Sequence, residues 1–225
     1  MNTLAKEMFL LLLMTFCSNT QANLVTVTGN KVSFTYESSL LDLFGMPTVA
    51  GDQLFFTPTA FVAKAYGEKA FDLKNSTINI KVTALNGGTI DGVNVTEKGD
   101  YIRKGSTSYI SAGGQIRVTD LIAPLNEVTD ALTPTLPFAQ QSNFFPTQNW
   151  QATANAYVSA FGALSINVSI ENILVALSNV FGDVGFMEKK AVILSIISVP
   201  LPAAVWLFGI TLLSLLAYSK RMHYI

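Results

Sequence analysis

The chain has 225 residues, a formal net charge of -1, one cysteine and one histidine. This length suits one domain of ordinary size with targeting segments and is short for two independent cores. The balanced charge excludes a nucleic-acid-binding surface, because phosphate binding needs clustered Lys and Arg on one face. Lys189-Lys190, the densest basic pair of the central region, is interpreted as a solvated pair on a strand.

The first 22 residues have the pattern of an export signal. Lys6 supplies a positive charge, residues 8–16 form an apolar run, and residues 20–22 (Thr-Gln-Ala) offer small residues to a signal peptidase. The run is about half of the ~20 residues that a membrane-spanning helix needs, which favours a cleaved signal. We predict cleavage after Ala22. The only cysteine, Cys17, is then lost, so the mature protein has neither a disulfide nor thiol chemistry.

Residues 23–198 have the pattern of an antiparallel all-β domain. Short runs of β-branched and aromatic residues alternate with polar residues and are separated by Gly, Asn, Asp and Pro. Strands are predicted at 24–28, 31–37, 53–57, 77–85, 109–112, 115–120, 152–161, 164–177 and 185–198, with tight turns at Gly29-Asn30 and Gly113-Gly114. About eight or nine strands without an internal repeat predict a single antiparallel β-sandwich, for which jelly-roll is one topology.

Residues 123–149 break this pattern and are predicted to form a long loop. The segment contains four prolines among Thr, Gln and Asn. Its aromatic residues and the tryptophan that follows it are Phe138, Phe144, Phe145 and Trp150. They could form a sugar-stacking platform, but we favour the interpretation that they fold back and cover an open end of the sandwich, because large apolar side chains usually find cover.

The exported region has no histidine, because His223 lies in the C-terminal tail. Without His and Cys, the usual residues of Ser-His-Asp hydrolases, cysteine proteases and zinc hydrolases are missing. There is also no Gly-rich phosphate-binding loop between a strand and a helix. We therefore expect a non-enzymatic domain without a cofactor.

Two alternatives use carboxylates. A secreted carbohydrate-active enzyme needs only an Asp/Glu pair, which the many acidic residues could supply. A calcium-dependent carbohydrate-binding module could use Asp91, Asn94, Glu97 and Asp100, which fall within one short segment. The spacing is not that of an EF-hand, and Asp91-Gly92 and Gly99-Asp100 are interpreted as turn residues, so no metal site is predicted.

The apolar C-terminal stretch is divided by two prolines. Residues 191–218 contain no charge, but a helix of that length would be about 42 Å long against a hydrocarbon core of ~30 Å. Pro200 and Pro202 cannot donate backbone hydrogen bonds and favour extended geometry around them. We predict a final strand that ends at Ser198 and a transmembrane helix at residues 203–218.

The predicted helix has the flanks of a membrane anchor. Trp206 and Tyr218 are placed as interfacial anchors, and Lys220 and Arg221 follow as a basic stop. The positive-inside rule puts the C-terminus in the cytoplasm and the β-domain outside. This orientation agrees with a signal peptide at the N-terminus.

Residues 199–209 read Val-Pro-Leu-Pro-Ala-Ala-Val-Trp-Leu-Phe-Gly and precede an apolar run and a basic end. This order, at the extreme C-terminus, resembles the VPLPA variant of the PEP-CTERM sorting domain. The motif residues are Val199, Pro200, Leu201, Pro202 and Ala203. The tail after Arg221 is longer and less purely basic than is usual in that family.

The resemblance implies recognition by an exosortase, an integral-membrane cysteine protease of Gram-negative bacteria that typically also make exopolysaccharide. The precursor would be anchored in the inner membrane with its C-terminus in the cytoplasm, and the protein would then reach the cell surface or extracellular matrix. The expected organisation is a signal peptide at 1–22, a β-sandwich ectodomain at 23–198 and a sorting signal at 199–225. The expected partners are the exosortase, the membrane and extracellular polysaccharide, and not nucleic acid.

Overall fold

A computed structural model of the protein describes residues 23–134, 138–200 and 211. Within these residues the protein is all-β, with thirteen strands in two antiparallel sheets and three short 3-10 helices. The strands are β1 (Leu24–Thr28), β2 (Val32–Glu37), β3 (Thr48–Ala50), β4 (Gln53–Phe56), β5 (Val62–Tyr66), β6 (Ala70–Ala84), β7 (Thr89–Lys104), β8 (Tyr109–Asp120), β9 (Glu127–Ala131), β10 (Thr133–Pro134), β11 (Gln148–Tyr157), β12 (Ser165–Ser178) and β13 (Val184–Val199). The 3-10 helices are Ser38–Leu40, Asp42–Phe44 and Ser159–Phe161.

The first sheet has the order β1-β2-β6-β12-β8-β9. Its three longest strands, β6, β12 and β8, lie side by side and pair along most of their length. Every second residue of β12 is buried, as expected for a strand with one face on a core. These inward residues are Ile166, Val168, Ile170, Asn172, Leu174, Ala176 and Ser178.

The second sheet has the order β10-β11-β7-β13-β4-β3. Strand β13 is central, because it pairs with β7 along one edge and with β4 and β5 in succession along the other. A β-bulge interrupts its pairing with β7 between Lys189 and Ala191, where Lys190 is the extra residue. Side chains of β13 face the core on both sides of the bulge, Met187 and Lys189 before it and Val192 and Leu194 after it.

The two sheets share one hydrophobic core, the arrangement of a β-sandwich. Phe34 and Val82 enter it from the first sheet, and Val95 and Leu194 enter it from the second. At one end, the buried rings of Phe44, Phe56 and Phe61 pack edge to face, with Phe44 5.8 Å from Phe56 and 5.7 Å from Phe61 between ring centroids. No disulfide can contribute, because the only cysteine lies at position 17.

Several strand predictions are confirmed. The hairpin of β1 and β2 has the predicted bounds to within one residue, and β4, β12 and β13 begin and end within a residue of the predicted strands. Strand β6 is longer than predicted, since it starts at Ala70 instead of Thr77. Strand β11 begins at Gln148 and ends at Tyr157, and a 3-10 turn follows where the strand was expected to continue.

The predicted turn at Gly113-Gly114 is wrong. Both glycines lie inside β8, which pairs with β12 without a break. Gly114 has φ +149°, and a Cβ placed on it would lie 2.0 Å from the carbonyl oxygen of Glu171. The residue is glycine because the neighbouring strand passes too close for a side chain.

The turns predicted at Asp91-Gly92 and Gly99-Asp100 are also wrong, because both pairs lie within β7. A Cβ on Gly99 would lie 1.9 Å from the Glu188 carbonyl oxygen and 2.6 Å from Nε1 of Trp150. Here too, glycine marks a close approach inside the sheet instead of a reversal of the chain. The sequence prediction therefore missed β7 entirely.

The long loop predicted at 123–149 is shorter in the structure. Strands β9 and β10 both form within it, and β9 pairs with the edge of β8. Residues 138–147 contain one isolated bridge, between Gln141 and Lys104. Strands β3 and β5 were not predicted either.

The two targeting segments were predicted for parts of the chain that the structure does not describe. The signal peptide at 1–22 lies outside the described residues, as does the helix at 203–218 except for residue 211. Among the described residues, no helix has the length and apolar character needed to cross a membrane.

Candidate functional site

Three polar side chains meet in the core between the two sheets. Lys189 of β13, Glu97 of β7 and Asn172 of β12 each occupy an inward position of an otherwise apolar series. Their exposed fractions are 2%, 0% and 0%. We call this group the Lys–Glu–Asn cluster. Such residues are almost never fully buried unless they are paired, so their placement needs a reason.

The amino group of Lys189 connects the other two members. Its Nζ donates a hydrogen bond to Oε2 of Glu97 at 2.5 Å and another to Oδ1 of Asn172. Glu97 is on the strand beside Lys189, whereas Asn172 belongs to the opposite sheet. The cluster therefore spans the interior from one sheet to the other.

Two atoms of the cluster have no hydrogen-bond partner. They are Oε1 of Glu97 and Nδ2 of Asn172, and both are buried. Unsatisfied buried polar atoms are uncommon in native proteins, and each costs about 1–3 kcal/mol. The cluster is therefore incompletely satisfied as a purely structural hydrogen-bond network.

Aromatic rings surround the amino group. Nζ of Lys189 lies 5.0 Å from the ring centroid of Phe61 and 5.7 Å from that of Trp150. The indole of Trp150 is fixed by a 3.0 Å hydrogen bond from Nε1 to the carbonyl oxygen of Glu188. Both rings are buried, so they exclude water from the cluster and present their π-systems to the amine.

Burial shifts both ionisation equilibria toward the neutral forms. It raises the pKa of Glu97, although the attraction and hydrogen bond of Lys189 act in the opposite direction. It lowers the pKa of Lys189, again against the attraction of Glu97. The pair can therefore hold a neutral amine beside a protonated carboxyl. A neutral, desolvated lysine amine is a nucleophile.

The interpretation of Lys189-Lys190 as a solvated pair is wrong for Lys189. Strand alternation sends neighbouring side chains to opposite faces, so only Lys190 reaches solvent, with 54% of its side chain exposed. Lys190 forms ion pairs with Asp100 and, at 3.2 Å, with Glu188. The two lysines differ completely in environment although they are adjacent in sequence.

The residues considered for calcium do not form a site. Glu97 points inward to Lys189, Asp100 pairs with Lys190, and Asn94 donates a hydrogen bond to Asn155. They are distributed along β7 with side chains on both faces of the sheet. In the part of the chain that the structure describes, no group of three or more His, Cys, Asp or Glu residues could hold a metal ion.

The aromatic residues around 123–150 divide into two groups. Phe138 packs edge to face between Tyr101 and Trp150, at centroid distances of 5.1 and 6.5 Å, and covers the end of the core. Phe144 and Phe145 are exposed, the latter by 78%. The interpretation that these aromatics cover the sandwich is therefore correct for Phe138 and Trp150 and wrong for Phe144 and Phe145.

A groove of about 780 Å³ lies on the outside of the first sheet, between β2, β6 and the first two 3-10 helices. It is lined by polar residues, among them Thr35, Asn79 and Asn167, and by apolar residues, among them the exposed Leu24 and Leu40. Two carboxylates also line it, Glu37 and Asp42, and each accepts a hydrogen bond from a serine.

Only the start of the predicted sorting motif is described. Val199 is the last residue of β13 and pairs with Thr89, and Pro200 follows it at the surface. The other motif and anchor residues lie outside the described residues: Ala22, Leu201, Pro202, Ala203, Trp206, Tyr218, Lys220 and Arg221.

The sequence analysis did not identify the Lys–Glu–Asn cluster, although a signal for it exists. Asn172 stands in the alternating series Ile170, Asn172, Leu174, and Glu97 follows Val93 and Val95 at the same spacing. A polar residue at an inward position of a long alternating strand indicates a buried polar contact. Three such residues on three strands would have indicated a cluster, but not which of them meet.

Comparison with known proteins adds no family assignment. A scan against protein-family models and a search of curated proteins gave no match to this chain. The fold and site define the class of protein: an all-β protein with two antiparallel sheets and a buried lysine, glutamate and asparagine between them.

Proposed function

We propose that the protein is an exported, non-enzymatic protein of a Gram-negative cell surface or extracellular matrix, delivered through a VPLPA-type sorting signal. The proposal includes the cleaved signal peptide, a β-sandwich ectodomain for which jelly-roll is one topology, and the C-terminal transmembrane helix. Its partners would be an exosortase-type membrane protease, the membrane and extracellular polysaccharide.

The observation that carries the proposal is the position of the motif. Val199 ends the central strand of the second sheet, and Pro200 stops further strand pairing because it lacks a backbone N–H. We expect the motif to be open to a protease, because Pro200 and Pro202 favour extended geometry around them. This supports a sorting function better than a simple membrane anchor, which would not need the Pro-Leu-Pro sequence.

The groove on the first sheet is the surface that we assign to polysaccharide contact. Its hydroxyl and amide groups can exchange hydrogen bonds with sugar hydroxyls, and Leu40 offers apolar contact. The carboxylates of Glu37 and Asp42 are engaged by Ser39 and Ser76 at 2.6 and 2.9 Å.

The sorting proposal is tested by producing the full-length chain in a Gram-negative host with and without its exosortase. With the exosortase, the protein should lose its C-terminal segment and leave the inner-membrane fraction. Without it, the protein should keep that segment and remain in the membrane. Changing both Pro200 and Pro202 to Ala should have the same effect as removing the exosortase, whereas Pro124→Ala, in the exposed loop after β8, should not. Unchanged size and location without the exosortase would refute the proposal.

A further inference from the structure

We infer that Lys189 and Asn172 become joined by an intramolecular isopeptide bond between the two sheets, with Glu97 as the proton carrier. This inference concerns the folded domain alone and does not depend on the proposed delivery.

The reacting groups are already in contact. Nζ of Lys189 touches the side-chain carboxamide of Asn172, and Oε2 of Glu97 lies 2.5 Å from the same nitrogen. The three side chains come from three long strands, two of them central in their sheets, so the backbone holds them without loop motion. Fixed proximity of this kind replaces a bimolecular encounter and lowers the barrier to reaction.

The chemistry is a transamidation that balances without any cofactor. The neutral amine of Lys189 attacks Cγ of Asn172, and a new C–N bond forms. Glu97, protonated at the start, delivers its proton to Nδ2 of Asn172 and takes one from Nζ in exchange. The Cγ–Nδ2 bond then breaks, ammonia leaves, and Glu97 returns to its starting protonation state. One amide replaces another, so no oxidant or reductant is needed.

The environment suits each step. Burial lowers the pKa of Lys189 and raises that of Glu97, which provides the free amine and a carboxyl able to carry the proton. Phe61 and Trp150 keep water away, so the amide is not exposed to hydrolysis.

The bond also explains the two unsatisfied atoms. Nδ2 of Asn172 is the leaving group, and Oε1 of Glu97 is a free oxygen able to exchange a proton with it. Once ammonia has left, the buried Nδ2 no longer exists and the buried amine has become a neutral amide. A buried ion pair is costly to desolvate, whereas a hydrogen-bonded amide is less so.

Peptide mapping of the full-length protein tests the inference. Residues 118–188 contain no Lys or Arg, so trypsin alone leaves both partners in one peptide. A glutamate-specific protease used with trypsin on the denatured protein cuts after Glu171, Glu188 and Lys190. The cross-linked protein should then yield peptide 172–188 with the Lys189-Lys190 dipeptide attached to Asn172, lighter by one ammonia than the two peptides together.

Variants identify the roles of the cluster. Lys189→Met removes the nucleophile and should yield peptide 172–188 alone. Glu97→Gln keeps the size and both reacting groups but cannot carry the proton, so the rate at which the attached form accumulates should fall at least about 100-fold, in the range of a lost general base. Lys190→Met, one residue away and exposed, should still show the linkage in digests with the glutamate-specific protease alone.

The wild-type result decides the inference whether or not the variants fold. Recovery of unattached peptide 172–188, with Asn172 unmodified, from folded wild-type protein would overturn it and leave the cluster as a structural ion pair. A Glu97→Gln protein that is fully cross-linked would overturn the role of Glu97. Circular dichroism of the wild-type and Glu97→Gln proteins before digestion is the control for folding, and only samples with the β-sheet spectrum are compared.

Discussion

At the scale of the single residue, the exclusion of water from the core determines the charge and the reactivity of the Lys189 amino group. The lysine and Glu97 are both fully enclosed, and transfer of a charged group from water to such a site costs several kcal/mol even when a partner is present. Lys190 has the same chemical group at the surface, where water and salt screen its ion pairs with Asp100 and Glu188. Reactivity at this position therefore comes from burial and not from the residue type.

Gly99 is expected to be essential for the packing of Trp150. We predict that Gly99→Ala lowers the free energy of unfolding by about 3 kcal/mol or more, because the added methyl group would overlap the Glu188 carbonyl oxygen and the indole nitrogen. Gly113→Ala is the matched control, since a Cβ there meets no atom within 4 Å. Urea unfolding followed by circular dichroism measures both. Equal stability of the two variants would contradict the predicted overlap.

At the scale of the element, β13 organises the second sheet. It contacts β7, β4 and β5, and it carries Lys189 directly beside the bulge at Lys190. The bulge adds one residue to the strand without changing the partners on either side, since Lys189 opposes Gly99 and Ala191 opposes Lys98. Lys190 is thus an extra residue on the outward face, and the alternation of inward side chains along β13 is the same before and after it.

We predict that β13 tolerates deletion of Lys190 but not deletion of Ile193. Without Lys190, Lys189 and Ala191 become consecutive residues opposite Gly99 and Lys98, so the inward series is kept. Without Ile193, every residue on one side of the deletion is turned to the other face, which exposes the apolar series. Thermal melting should show a cooperative transition for the first variant and none for the second. A cooperative transition in both would show that the register is less constrained than proposed.

At the scale of the whole molecule, the proposed cross-link joins the two sheets covalently. The only cysteine of the chain is Cys17, so no disulfide can connect the sheets of this domain. An amide bond does not depend on the redox environment, so reducing agents would not break this link. The link also closes the chain between β12 and β13, which lie in different sheets.

We predict that Glu97→Gln lowers the melting temperature by at least about 6–12 °C. A cross-link that closes a loop of about 15 residues contributes about 3 kcal/mol through the entropy of the unfolded chain, and 1 kcal/mol corresponds to about 2–4 °C in a domain of this size. The lysine left buried without its partner adds to the loss. Calorimetry of Glu97→Gln and of Lys190→Met measures the effect, and only the former should melt earlier. Unchanged melting of a Glu97→Gln protein that lacks the cross-link would contradict this contribution.

Local pattern was sufficient for the class of fold and for several strands. Alternation of Val32, Phe34 and Tyr36 with polar residues identified both the strand and its inward face, because a strand has a period of two whatever its partners. The VPLPA-type motif is likewise a continuous segment and needs no tertiary information. These features depend only on neighbouring residues.

The tertiary structure decided what depends on partners distant in sequence. Gly99 and Gly114 resemble turn glycines in the sequence, and only the approach of Glu188 and Glu171 shows that they lie within strands. The contact of Lys189 with Asn172 and Glu97 likewise requires three strands from two sheets to converge. The alternation of residues along each strand predicts that each of these side chains faces inward. The order of strands and the packing of the sheets determine which side chains meet, and no local pattern encodes that order.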